Sequence, residues 1–382
     1  MESETVPTIV EPLPFIDHFK DLFDPRLQAR VLYPLIEILF LCLIAIIAGA
    51  NCFTEIELYG KEKLSFLRSF LPFEYGIPSH DQLGNVFAVL DPEEFTRCFL
   101  SWVLSIPGLS TDVIAIDGKT SRRSGSKSNG QAAIHMVSAF ATQQRLVLAQ
   151  TKVDEKSNEI VAIPNVLDMV DIKGATVTID AIGCQRDIYQ KIINKEGDYV
   201  LTLKKNQESL HEDVKIFVDE QKDKKFEDTK ISHHRTIEKD HGRIETRDIT
   251  VIHDIEWLQK RHQWPGLNAI VVIESEREIN KKSTKETRFY LTSSKEEAEK
   301  ISEIIRSHWA IENNLHWVLD ISFRDDECRI RTNHAPTNFA TMRHAACNLL
   351  QRARGKLSMN AGRKKAGWSD GFLAKILRNA LP

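Results

Sequence analysis

The chain has 382 residues, 42% of them hydrophobic and 27% charged, with a formal net charge of -3. That balance excludes a disordered, fibrous or collagen-like chain and leaves room for two or three domains. Bulk charge does not mark a polyanion binder, yet residues 343–382 carry nine Lys and Arg against one acid, Asp370. Such a basic tail reads either as a docking place for a polyanion or as a solvated surface.

From the start, MESETVPTIVEPLP is acidic and has no basic region ahead of an apolar run. That predicts no signal peptide and a cytoplasmic protein. Residues 15–30 read as a short helix and loop. Residues 31–50, VLYPLIEILFLCLIAIIAGA, are almost wholly apolar, but Pro34 and Glu37 interrupt them. A membrane span takes about twenty residues, so the segment predicts a buried helix over 33–49 and no membrane partner. Helical spacing continues over 53–70, and Pro72 and Pro78 break it. Ser79 is placed to cap a helix from His80 to Val89, and Asp91 followed by Pro92 marks another helix start. Residues 1–110 are therefore expected to form a helical N-terminal domain, suited either to helix-turn-helix DNA recognition or to plain support.

The texture changes at Asp112. VIAID (113–117) is a β-branched run ending in a carboxylate, followed by a loop rich in glycine, serine and basic residues. Strands are expected over 132–142 and 145–153, a helix over 159–170, a strand over 175–180, a helix over 185–197 and a strand over 198–204. This order predicts a mixed α/β layer fold. Residues 205–295 read as a charged helix followed by a β-rich insertion, with Gly242 in a turn between strands. Helices return over 295–320 and 336–354. The six cysteines form no C-x-x-C pair and predict reduced, buried thiols.

Asp117 and Asp180 each close a β-run, and reactive groups gather at the carboxyl edge of strands in such folds. Carboxylate oxygen suits hard divalent cations, and two such ions about 4 Å apart can clamp an in-line phosphoryl displacement. Either Asp alone reads first as a cap of the next element; the pair, with basic loops nearby, favours the cation reading. Within 299–320, His308, Glu312, His316 and Asp320 are spaced four apart, along one stripe of an otherwise apolar helix. Glu312 can join the aspartates as a third ligand, while His308 and His316 can orient it or touch phosphate. The bland alternative is a hydrogen-bonded polar stripe at a buried contact. Lys119, Arg122, Arg123 and Lys127 follow the first acid, and Lys204, Lys205 and Asn206 follow the strand before the insertion. These suit a phosphate backbone and carry no base specificity. Gly118-Lys119-Thr120 looks like the end of a P-loop, but position 113 is Val where the loop needs Gly, so no nucleotide cofactor is expected. His308, Glu312 and His316 also have helical spacing for zinc, which leaves a zinc-dependent hydrolase as an alternative.

DGKTSRRS (117–124), TIDAIGCQ (178–185), DYVLTLKKNQ (198–207), DHGRIETR (240–247) and RSHWAIENNLHWVLDISFRDDECRIR (306–331) resemble the H-repeat-associated DDE transposases of bacterial insertion sequences. The resemblance covers nearly the whole chain. It implies a ribonuclease-H-like catalytic core over 111–382, interrupted by the β-rich insertion before the last acid and ending in the basic tail. It also implies catalytic and metal-binding acids Asp117, Asp180 and Glu312, two Mg²⁺ or Mn²⁺ ions, terminal-repeat and target DNA as partners, and a homodimer on DNA. Related transposases carry Tyr, Arg and Lys around the last acid. The matching positions here hold Ile305, His308 and Leu319, so those roles are not carried over, and His308 or His316 would supply the basic contact. Members of the family are also suspected to be vestigial, which keeps a catalytically inactive DNA-binding protein as an alternative.

Overall fold

A computed structural model describes residues 14–109, 112–126, 130–154, 157–240, 243–279 and 282–378. Lys127 and the expected turn at Gly242 lie outside the described residues. Short helices open the chain: α1 (Pro14–Asp17), α2 (Leu35–Ala48), α3 (Phe53–Glu62), α4 (Leu64–Leu67), α5 (His80–Val89) and α6 (Pro92–Leu104). Two of their starts follow the capping residues in the sequence. The Ser79 hydroxyl accepts from the Gln82 amide while the Gln82 side chain accepts from the Ser79 amide, a complete capping box. Asp91 accepts from the Glu93 and Glu94 amides with Pro92 in the first turn. Residues 38–47 of α2 are all buried, so the apolar run is a core helix. Among the described residues no single helix is long and apolar enough to cross a membrane.

Nine strands form one mixed sheet in the order β3-β2-β1-β4-β5-β9-β8-β7-β6. The first five are β1 (Val113–Thr120), β2 (His135–Ala141), β3 (Leu146–Lys152), β4 (Thr176–Ile179) and β5 (Asp198–Leu203). β1 runs antiparallel to β2 and parallel to β4, and β4 runs parallel to β5. The chain crosses between these parallel strands through α7 (Glu159–Met169) and α8 (Arg186–Asn194). After α9 (Glu208–Asp223) come β6 (Ile231–Asp240), β7 (Arg243–Ile252), the short α10 (Glu256–His262), β8 (Ala269–Ile279) and β9 (Lys282–Thr292). Antiparallel pairing of β9 with β5 joins these four strands to the same sheet. The β-rich stretch therefore extends the sheet edge.

The two faces of β1 are covered differently, as the period of two requires. Ile114 and Ile116 share a core cluster with Ile163 and Val166 of α7. Val113 packs in another cluster with Ile301, Ile304 and Ile305 of α11 (Ala298–Ile311). After α11 the chain makes a π-helical turn, Glu312–His316, and continues as α12 (Trp317–Ser322). The last helices are α13 (Ala335–Ala353), α14 (Met359–Trp368) and α15 (Asp370–Arg378).

The C-terminal segment differs from the expected basic tail. Its helices pack on α2, and two of its cations are buried: Arg343 at 3% and Arg363 at 3% exposure. The Arg363 guanidinium donates to the Ile46 and Ala50 carbonyls, so a buried cation meets the carbonyls at and just beyond the end of α2. Residue counts register charge, but they do not reveal when a helix terminus takes up that charge from inside.

Candidate functional site

Ile116 pairs with Ile179 across the parallel β1–β4 ladder, so Asp117 and Asp180 are the next residues on adjacent strands. β4 ends there, whereas β1 continues to Thr120 beside β2. The open edge of β1 beyond β4 is where the acids collect. Asp117 accepts from the Gly118 amide at 2.9 Å. Asp180 accepts from the Ile182 amide at 3.0 Å and so caps the following turn, which was the bland sequence alternative; this uses one oxygen and leaves the other free to bind.

Glu312 opens the π-helical turn, where the Trp317 amide reaches five residues back to the Glu312 carbonyl. Single-turn π segments recur at functional sites because the extra residue re-aims the side chains around it. Here it breaks up the stripe read from the sequence. His308 Nδ1 lies 3.0 Å from Thr178 Oγ1 on β4. His316 Nδ1 lies 3.6 Å from Asp117 Oδ2 on β1. Asp320 takes Lys119 Nζ at 2.6 Å, two residues further along β1. Successive members of the stripe thus step from β4 to β1 and then along it.

Burial pushes Asp117 up to about 7, opposed by the Gly118 hydrogen bond and reinforced by the negative charges of Glu159, Asp180 and Glu312. Burial likewise pulls His316 down to about 3, helped by Lys119. With the imidazole neutral, the contact between His316 and Asp117 is not an ion pair. His308 is lowered by burial and partly restored by Asp180. Neither Asp180 nor Glu312 forms a salt bridge among the described residues, and Asp117 meets only this neutral imidazole. The ligand oxygens of the three acids do not all lie within 4.8 Å of one another, a closeness that only Asp320, Asp325 and Asp326 reach among the described residues.

Asp180 and Glu312 line one groove with Lys204, Lys205, Arg288 and Trp309. Of the basic groups expected at phosphate, Lys204 and Lys205 are exposed in this groove, and Arg122 and Arg123 are exposed beyond the end of β1. Three others are placed differently. Lys119 is largely buried and held by Asp320, Asp325 and Asp326 at 2.6, 3.9 and 3.7 Å. Asn206 donates its side-chain amide to the Ala181 carbonyl at 2.6 Å, pinning the loop after Asp180. His316 is partly buried and neutral, so it backs Asp117 instead of offering charge to a phosphate. His308, Glu312 and His316 do not bring their ligand atoms within 4.8 Å of one another among the described residues, and the two histidines turn to Thr178 and Asp117 instead.

Two residues near Asp117 escaped the sequence reading. Glu159, in the first turn of α7, meets His135 Nε2 at 2.7 Å, and His135 Nδ1 meets Thr120 Oγ1 at 2.7 Å. The only signal was an acid at a helix start and a histidine at a strand start; no spacing relates either to residue 117.

The model of a family described as "Transposase DDE domain" matches residues 108–349, and its companion "DDE_Tnp_1-associated" matches residues 16–103. The chain is 38% identical over 370 residues to an Escherichia coli protein named "H repeat-associated putative transposase YhhI", covering 95% of this chain and 97% of that one. It is 43% identical over 285 residues to an uncharacterized protein of Xanthobacter autotrophicus, covering 74% and 94%. An Escherichia coli protein named "Inactive transposase YbfQ" matches 71 residues at 37% identity, 19% of this chain and 84% of that one.

Proposed function

The chain belongs to the transposase DDE-domain family, and from that premise we propose that Asp117, Asp180 and Glu312 are the acids of a metal-dependent DNA strand cleavage and transfer reaction at the ends of an insertion element. The observation that carries the assignment is the placement of two aspartates at the same level of adjacent parallel strands, where β4 ends and β1 runs on, with a π-turn glutamate nearby and none of the three in an ion pair with a lysine or arginine among the described residues. Like charges drawn together this way favour either protonation or a bound cation. Their donor set of hard carboxylate oxygens fits Mg²⁺ or Mn²⁺. The mixed sheet flanked by helices, with the β-rich stretch entering before the last acid, supports a ribonuclease-H-like core.

Two such ions supply nucleophile activation and charge neutralisation at the phosphate. The chain's own residues supply position. β1 and β4 fix Asp117 and Asp180 through the ladder, and Asn206 pins the turn that follows Asp180. Lys204 and Lys205 are placed to take backbone phosphates along the groove, without reading sequence. His316 stands against one oxygen of Asp117. Residues 1–110 support the core or read the DNA, and pairing of two element ends calls for a dimer.

The test is nicking of element-end DNA by the purified full chain with Mg²⁺. Asp180→Ala is expected to lower the rate by at least about 10³-fold while DNA binding persists. Unchanged cleavage by that variant rejects the assignment. DNA binding without any nicking by the wild-type chain identifies an inactive DNA-binding protein.

A further inference from the structure

We propose that Glu159 is a positioning carboxylate for the cation site, reaching the edge of β1 from the sheet face opposite Glu312 and holding the water ligands of a cation at Asp117. The inference rests on the preceding assignment of Asp117, Asp180 and Glu312.

Residues 117 and 118 point to opposite faces of β1. Asp117 faces His316 in the segment that follows α11. Gly118 faces α7, and there the chain makes a close approach: a Cβ at position 118 would lie 2.3 Å from Glu159 Oε1 and 2.4 Å from His135 Nε2. No Cβ survives at such distances, so a side chain at this position would displace the pair. Only glycine lets a carboxylate from α7 lie directly against the backbone next to Asp117. β4 has already ended at this level, and the turn that Asp180 caps takes its place beside β1.

The carboxylate is also held in place. His135 stands opposite Thr120 in the β1–β2 ladder and spans Thr120 Oγ1 and Glu159 Oε1, at 2.7 Å each. The His135 and Glu159 side chains keep 27% and 18% of their surface, so water reaches them. They line a groove with Lys152, Asn158 and Arg331. A divalent cation of the Mg²⁺ type keeps several water ligands and is oriented by carboxylates that bond those waters. Glu159 is placed to do this from the α7 side. The Thr120–His135–Glu159 chain fixes its direction, as outer hydrogen bonds fix ligands at other metal sites.

Mn²⁺ titration of the full chain without DNA tests the proposal, beside the Mg²⁺ dependence of nicking. Glu159→Gln keeps the shape and removes the charge. It is expected to weaken Mn²⁺ binding about 10- to 100-fold and to raise the Mg²⁺ needed for half-maximal nicking by a similar factor. His135→Ala is expected to shift both in the same direction by less. Should Glu159→Gln fail to fold, Glu159→Asp, which retracts the charge by one methylene, is expected to give the same shift at smaller size. Wild-type Mn²⁺ affinity in a folded Glu159 variant, even one with a lowered melting temperature, overturns the proposal and leaves Glu159 as a partner of His135 only. Wild-type Mn²⁺ affinity in Asp180→Ala overturns the three-acid assignment itself, a separate result.

Discussion

Two groups of carboxylates flank the same strand, and the structure treats them in opposite ways. Asp320, Asp325 and Asp326 come within 4.8 Å of one another, the closeness expected of a metal site, yet Lys119 Nζ already lies among them. Arg343 adds a bond of 2.6 Å to Asp325, and Arg122 approaches Asp326 at 3.3 Å. Asp117, Asp180 and Glu312 are less tightly gathered and have no such partner among the described residues. Burial without neutralisation leaves Asp117 protonating near neutral pH. The first group is a largely buried ionic joint between β1 and the stretch that runs from α12 into the turn after it. The second is the group that we propose a bound cation completes. Proximity of acids alone would choose the wrong group, whereas charge balance separates them.

Substitutions should divide along the same line. Asp117→Asn removes repulsion and a ligand together. It is expected to reduce nicking by at least about 10³-fold and at the same time to raise the metal-free melting temperature at pH 8, read by calorimetry. A variant that loses both activity and stability would put Asp117 in the structural group. Lys119→Ala does the reverse. Stripping the internal cation from three clustered carboxylates is expected to cost about 3–5 kcal/mol in denaturant unfolding; full stability would mean that the joint is not one.

The pH dependence of stability sharpens the contrast. Asp117 protonates near 7 in the folded chain and near 3.8 in the unfolded one. Between those values the folded chain holds a proton that the unfolded chain has released. Its contribution is therefore present at low pH and is lost as pH rises through that window, by up to about 1.4 kcal/mol per pH unit. Saturating Mg²⁺ should remove this loss, and Asp117→Asn should abolish it; melting curves from about pH 5 to pH 8 with and without Mg²⁺ report both. The smallest effect concerns the groove. Replacing Lys204 and Lys205 together by Ala is expected to weaken DNA binding evenly across sequences and to lower the salt slope by about one for each phosphate that is no longer neutralised.

Much of this site was legible because it follows short-range rules. β-Branched runs ending in Asp117 and Asp180 put both acids at a sheet edge, and four-residue spacing flagged Glu312. The π-helical turn was not legible, since no residue type enforces it and packing of α11 and α12 against β1 decides it. Glu159 and His135 were hidden for another reason: their link to Asp117 runs across the sheet through a missing side chain, and a glycine in a strand carries no direction. Lys119 and the C-terminal arginines show the limit of counting charge. They read as polyanion contacts, but carboxylates and helix-end carbonyls that come near only in the folded chain claim Lys119, Arg343 and Arg363.

The most direct test is to grow crystals of the full chain with Mn²⁺ and map the metal by its anomalous scattering. If the unneutralised acids are the cation site, the peak falls between Asp117, Asp180 and Glu312, while Lys119 stays among Asp320, Asp325 and Asp326. A peak at that second group with Lys119 displaced, and none at the first, would contradict it.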